Sequence, residues 1–310
     1  MILTVTPNPA IDLTYTVLAL LLGDTQRVDA ARSRAGGKGV NVARVAHQLG
    51  NPVLVMAPVG GHNGIEFVRE LESSGLPHDL VTVSGATRRS VALVETETGR
   101  TSVLNERGVA LRTTDWTTLI DRIRRRIDDA TCLVGSGSLP PEAYDGFYAD
   151  LVNIGRAAGI PVLIDASGAA LLAAARAGAD VLKPNRRELA DATGLSSPVD
   201  GASSLLDAGA RLVIVSLGED GMFAMTAAHR EPLFARLPAP LTGNPTGAGD
   251  AAVAAAAVCY SNGVTDRSVL LRRATAWSAA AVRSPVAGEV AGNLAELEAT
   301  VLLGTATESR

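Results

Sequence analysis

The sequence predicts an α/β fold in which a mainly parallel sheet is flanked by helices, with a small β-sheet set apart from it as a lid. Three observations carry the prediction: short β-branched apolar runs recur along the chain, helical stretches lie between most of them, and two segments break the rhythm. Runs that are short and apolar throughout suit strands buried on both faces, as a parallel sheet requires.

The elements follow in order from local pattern. "ILTVT" (2–6) is the first strand, and residues 12–34 ("DLTYTVLALLLGDTQRVDAARSR") contain no convincing long helix. "AGGKGVNVARVAHQLG" (35–50) enters a helix behind three glycines, and "VLVMAPV" (53–59) is the next strand. Residues 86–105 alternate around "ETETGR", which reads as a hairpin turn. The segments 12–34 and 86–105 are expected to pair as the lid, leaving 1–11, 35–85 and 106–310 as the large domain. A helix over 114–127 rests on Trp116, Leu119, Ile120, Ile123 and Ile127 at helical spacing, with Thr113 or Thr114 as its cap. Arg124, Arg125 and Arg126 on it read as a solvated face rather than a binding patch. Strands "TCLVG" (131–135), "PVLID" (161–165), "DVLKP" (180–184) and "RLVIVS" (211–216) complete the sheet, while "ALLAAARAGA" and "DAAVAAAAV" are alanine-rich helix. In such a sheet, ligands gather at the carboxyl ends of the strands.

Composition bounds the rest. At 310 residues the chain can bury a sizeable core and hold at most two domains. Hydrophobic residues at 47% against charged ones at 19% make a globular balance that argues against disorder. The net charge of -4 gives no global pull toward nucleic acid or an anionic membrane, so any anion site must be local. Cys132 and Cys259 stand far apart beside apolar residues and read as inert buried thiols. The amino terminus carries no basic stretch and "VLALLL" is too short to span a bilayer, which makes the cytoplasm the expected location.

The chemistry concentrates in "NPTGAGDAAVAAAA" (244–257). Gly247, Ala248 and Gly249 have little or no side chain, so their amides can turn toward one point, and a helix starting near Asp250 aims its first N–H groups and its dipole there too. Taken alone, "TGAG" fits a tight turn before a packed helix as well as it fits an anion cradle. Asp250 is either a simple N-cap or a base beside the bound anion, and an amide cradle with an adjacent base suits phosphoryl transfer. Near the other end, Gly36, Gly37 and Gly39 allow close backbone approach, while Lys38 and Asn41 on the same helix entrance can hold sugar hydroxyls or a phosphate. His47, further along, reads as a packed or surface residue. Strand ends add Ser136 and Ser138, then Lys183, Asn185 and Glu188, then Ser216, Gly218 and Gly221, each ordinary loop chemistry singly but jointly lining one edge of the sheet. No Walker loop, G-x-G-x-x-G helix entrance, G-x-S-x-G elbow or H-E-x-x-H helix appears, which disfavours P-loop, dinucleotide, serine hydrolase and zinc protease readings.

These residues resemble the PfkB (ribokinase-like) carbohydrate kinase family, with motifs spread from residue 7 to about 283. "GGKGVNVA" is similar to its first signature and "NPTGAGDAAVAA" to its second, in ordered combination with "KPNRREL" and "SLGEDG". "TPNPAIDLTYTV", "TRRSVAL" and "GSLP" resemble the branch acting on sugar phosphates, which includes 1-phosphofructokinase and tagatose-6-phosphate kinase. The resemblance implies a ribokinase-like fold, a lid that pairs with another subunit's in a homodimer, and ATP with Mg2+ as cofactors, the need for a monovalent cation being left open. It implies Asp250 as the base, with Gly247, Ala248 and Gly249 stabilising the transferring phosphoryl group. Asp12, Gly37, Lys38 and Asn41 would hold the sugar, and Arg88, with Lys38 and Ser138, its existing phosphate. Asn185 and Glu188 would organise Mg2+ partly through water, and Lys183, Ser216, Gly218 and Gly221 would lie along ATP.

The chain also departs from the branch. Ser90 stands where an asparagine is common, close to the implied phosphate site, and Pro245 and Ala251 replace a usual threonine and serine. Arg89 and Arg107 are further positive charges near the lid that either bind an anionic sugar or face water. The leading expectation is an ATP-dependent kinase of a ketohexose phosphate, fructose 1-phosphate first, then tagatose 6-phosphate or fructose 6-phosphate. Kinases of a free sugar or nucleoside, and a binding regulator without chemistry, remain the alternatives.

Overall fold

A computed structural model describes residues 1–239, 241 and 243–305. The first half of the chain contains β1 (Ile2–Val5), β2 (Ala10–Val17), β3 (Arg32–Gly36), α1 (Lys38–Gln48), β4 (Val53–Val59), α2 (Gly61–Ser73), β5 (His78–Thr82), β6 (Arg88–Glu95), β7 (Thr101–Asn105) and α3 (Thr113–Arg126). There follow β8 (Cys132–Ser136), α4 (Phe147–Ala158), β9 (Val162–Asp165), α5 (Gly168–Ala177), β10 (Val181–Leu182), α6 (Arg186–Thr193), α7 (Pro198–Ala208) and β11 (Leu212–Ser216). The chain closes with β12 (Met222–Thr226), β13 (Leu233–Arg236), α8 (Ala248–Ser261), α9 (Arg267–Val282), α10 (Leu294–Thr300) and β14 (Leu302–Gly304).

Among the described residues, one sheet runs in the order β14-β13-β12-β11-β10-β9-β8-β1-β4-β5. From β11 to β5 all neighbours are parallel, while β12, β13 and β14 pair antiparallel at one edge. Alternate side chains along a strand point to opposite faces, and the strands use both. Ile2, Val55, Val134, Leu163, Val181 and Ile214 enter one core, packed against α1, α2, α8 and α9. Leu3, Met56, Leu133, Ile164, Leu182 and Val213 enter the other, against α3 to α7. Each such aliphatic side chain contributes roughly 1.5–3 kcal/mol when fully buried, so helices on both faces are what an all-apolar strand demands.

Helix α8 is buried from Asp250 to Cys259. Its alanines supply little apolar area each but let α1, α9 and the sheet approach closely, which is why this helix needs no polar face. Helix α3 starts at Thr113 with Arg112 as its cap, and neither Thr113 nor Thr114 caps it. The Asp115 carboxylate, a stronger acceptor than a threonine hydroxyl, takes the Arg112 N–H at 3.0 Å and its guanidinium at 2.9 Å. Arg124 and Arg125 are exposed as expected, whereas Arg126 is exposed yet tied to Asp79 of β5 at 2.8 Å.

The two segments that break the rhythm supply most of a separate four-stranded sheet in the order β3-β2-β6-β7. Strands β2 and β6 run parallel, and the "ETETGR" hairpin joins β6 to β7 antiparallel. The register sets Asp12, Ser90 and Asn105 in one row across three strands, and Leu13, Val91 and Leu104 in the next. Because neighbouring rows face opposite ways, the first row is polar on one side of the sheet and the second apolar on the other.

Candidate active site

The residues that the resemblance assigns to catalysis, acceptor, ATP and metal all line a single cavity of about 1660 Å3, whereas Gly36, Gly39, Ser136 and Arg89 do not line it. Loops at the carboxyl ends of β8 to β11, the entrance of α1 and the first turn of α8 make up most of its wall, and Asp12, Arg88, Ser90 and Asn105 of the small sheet complete it.

The α8 entrance is built on Gly247, whose φ of 86 is left-handed backbone that glycine adopts at little cost. The helix begins at Ala248, two residues before the expected start, so Asp250 sits within the first turn and does not cap it. The Ala248 amide already donates to the Pro245 carbonyl at 3.2 Å, while the amides of Gly247 and Gly249 take no backbone acceptor among the described residues. The expected three-amide cradle is therefore led by the two glycines, with the dipole of α8 behind them. Lys183 is only 5% exposed; its backbone N–H donates to Ile164 O at 3.1 Å, while its side chain makes no ion pair or hydrogen bond among the described residues. Its Nζ lies 3.3 Å from where a Cβ on Gly249 would be, which brings a buried cation to the same wall.

Asp250 is 7% exposed, and its Oδ2 accepts from Asn41 Nδ2 at 2.9 Å. Burial first and the charge of Asp165 second push its pKa up to about 6, against the pull of Lys38, the Asn41 bond and Lys183. Asp12 also rises to about 6, through burial and then Asp250, with Arg88, Arg44 and the Gly37 amide opposing. Its carboxylate lies against Gly36, where a Cβ would overlap it.

Lys38 does not project freely. Its Nζ meets Asp165 Oδ1 at 3.3 Å and Glu188 Oε1 at 3.0 Å, and these two charges outweigh burial to hold its pKa above the ordinary lysine value. Asp165 is fully buried and accepts from Ser136 Oγ as well; Lys38, Lys183 and these bonds together overcome the effect of burial and keep it below the ordinary range. Asn185 caps α6 reciprocally with Glu188, each side chain accepting from the other's backbone N–H at 2.9 Å. Ser216 at the end of β11 and Gly218 and Gly221 after it line the same cavity.

Arg88 is fixed by carbonyls, its Nε donating to Asn8 O and its Nη1 to Glu106 O, each at 3.2 Å. Asn8 Nδ2 in turn donates to Arg107 O at 3.1 Å and Ser138 Oγ at 3.3 Å. Ser90 has Asn105 directly across the strand pair, so an amide stands beside the position where serine replaces the more usual asparagine. Arg107 lines the cavity and Arg89 bonds Asn63 outside it.

Sequence reasoning passed over Asn8, Asp165 and Asn105. Asp165 had a signal, a carboxylate closing the apolar run "PVLID" at a strand's carboxyl end; Asn105 had none before the strand register was known. Both cysteines are buried free thiols, and His47 is exposed. No helix among the described residues is long and apolar enough to cross a membrane.

Residues 6–291 match the family described as "pfkB family carbohydrate kinase". The chain is similar to phosphofructokinase-2 from Escherichia coli in complex with fructose-6-phosphate, at 28% identity over 92% of this chain and 95% of that one, with a TM-score of 0.82. The tetrameric inhibited form of the same enzyme gives 27% identity over the same shares and a TM-score of 0.83. A possible 1-phosphofructokinase from Thermotoga maritima shares the fold at 23% identity, 98% coverage of both chains and a TM-score of 0.89.

Proposed function

The chain belongs to the pfkB family of carbohydrate kinases, and from this we propose that it transfers the γ-phosphoryl group of ATP to a hydroxyl of a ketohexose phosphate. The observation that carries the reading is one wall of the cavity. A buried carboxylate, Asp250, stands beside the amides of Gly247 and Gly249 and the ammonium of Lys183, none of which has a partner among the described residues. Unpaired donors gathered on one cavity wall suit an anion, and a transferring phosphoryl group supplies one.

Asp250 takes the proton of the acceptor hydroxyl as that oxygen attacks the γ-phosphorus, and ADP leaves. A carboxylate whose pKa is near 6 is ionised at neutral pH yet basic enough to share a proton in the transition state. Gly247, Gly249 and Lys183 meet the charge on the equatorial oxygens, while Asp12 and the Gly37 backbone orient the sugar. Arg88, preset by Asn8 and Glu106 carbonyls, faces the acceptor's own phosphate together with Ser138. Ser216, Gly218 and Gly221 form the strip along which ATP lies.

Glu188 and Asn185 are oxygen donors that suit Mg2+, but Glu188 is shared with Lys38 and the cap of α6, and no group of three carboxylate, histidine or cysteine ligands gathers among the described residues. That donor set fits an ion held partly through water and by phosphate oxygens rather than one caged by protein. When bound, Mg2+ would neutralise charge on the phosphates. We read the small sheet with 12–34 and 86–105 as a lid over the acceptor and as the contact between two copies in a homodimer. A cytoplasmic location goes with a reaction that consumes ATP.

The test is ADP release with ATP and Mg2+ across fructose 1-phosphate, fructose 6-phosphate, tagatose 6-phosphate, free fructose, ribose and adenosine. Turnover confined to phosphorylated sugars supports the reading and selects the acceptor, with fructose 1-phosphate the first expectation. Turnover confined to free fructose, ribose or adenosine overturns it, and ligand-induced thermal stabilisation without any ADP release favours a binding regulator.

A further inference from the structure

Asn41 stands in the first turn of α1 and Asp250 in the first turn of α8, two helices packed against each other beneath the cavity. Both side chains are buried, at 6% and 7% exposure. Asn41 Nδ2 donates to Asp250 Oδ2 at 2.9 Å. At the other end of the amide, Oδ1 faces Gly288, where an added Cβ would lie 2.9 Å away. Asn41 lines the cavity with the donor end of its amide toward the carboxylate and the acceptor end toward Gly288. An ionised carboxylate accepts hydrogen bonds and donates none, so this pairing favours the ionised form, leaving Oδ1 of Asp250 to receive a proton.

We propose that Asn41 is a positioning residue for Asp250, holding the base ionised and in one rotamer. The proposal rests on the reading of Asp250 as the base. The charged groups facing Asp250 are Asp12 of β2, Lys38 of α1, Asp165 of β9 and Lys183 after β10, and none of them donates the bond that Asn41 does. A contact to the substrate and a contact to the base leave different kinetic marks. The first changes the acceptor's KM, and the second changes the pH dependence of kcat.

The experiment is a carbon-13 NMR titration of the full-length protein labelled at aspartate carboxyls, with Asp250→Asn used to assign the Asp250 signal. In Asn41→Ala the Asp250 midpoint is expected to rise by about one pH unit, a tenfold change in proton affinity. Asn41→Asp is isosteric and carries the test if the alanine variant does not fold; two adjacent carboxylates then share a proton and the midpoint rises further. In turnover assays the acid limb of kcat moves up with it. An unmoved midpoint overturns the proposal, as does a raised KM with an unmoved limb. A merely structural role would lower kcat equally at every pH and leave the midpoint in place. If the wild type phosphorylates none of the acceptors while the midpoint still moves, the kinase reading fails and the coupling of Asn41 to Asp250 stands.

Discussion

At Asp250 the demands of burial and of chemistry oppose each other, and the consequence is measurable. Its folded pKa of about 6 lies above the unfolded value of 3.8, so the folded state binds the proton more tightly. Stability therefore falls as pH rises between those two values, and above about pH 6 the full penalty of the buried charge is present. Asp250→Asn removes that penalty and keeps an oxygen for the Asn41 amide to donate to. Thermal melts are expected to show a higher Tm than wild type at pH 7.5, with the gain shrinking as pH drops toward 4. The same variant should still bind ATP while kcat falls by about 10²–10⁴, the usual worth of a general base. Wild-type turnover in that variant would remove the assigned role. In the wild type, kcat/KM should fall below about pH 6 as Asp250 and Asp12 both take protons.

Among the elements, the join of β2 to β3 shows how strand pairing shapes the site. Asp12 projects from β2 onto Gly36 at the end of β3, and the missing side chain is what makes room for the carboxylate. Gly36→Ala keeps the strand pairing, since no left-handed backbone is needed there, but displaces Asp12. Steady-state kinetics should then show a raised KM for the acceptor with the KM for ATP unchanged; equal changes in both would mean that Asp12 does not meet the acceptor. The elements were legible to differing degrees. The β-branched runs named every parallel strand from β8 to β11, because burial on both faces writes itself into local composition. Pattern alone sets the start of α8 two residues late and the cap of α3 on a threonine, because a positive φ at Gly247 and a reciprocal bond between Arg112 and Asp115 are not visible as periodicity.

Across the whole molecule, the small sheet carries apolar surface that its own fold does not cover. Leu22 is 88% exposed and Leu18 73%, both just past β2, and Leu104 on edge strand β7 is 63% exposed. If this sheet is the contact between two copies, light scattering should find a dimer in wild type and a monomer in the double variant Leu22→Asp, Leu104→Lys. A dimer that survives the double variant would place the contact elsewhere. By itself the sequence determined the α/β class, the two segments outside the main sheet, and the glycine-rich turns and strand ends that meet at the cavity. These depend on side-chain period and backbone freedom, which are properties of short stretches. Only the tertiary structure decided which partners those groups take. Asn41 bonds Asp250 from 209 residues away, Lys38 is shared by Asp165 and Glu188, and Asn8 reaches Ser138 across 130 residues. Such pairings are set by strand order and register, which no local window contains, and in a buried site they fix which carboxylate is free to take a proton.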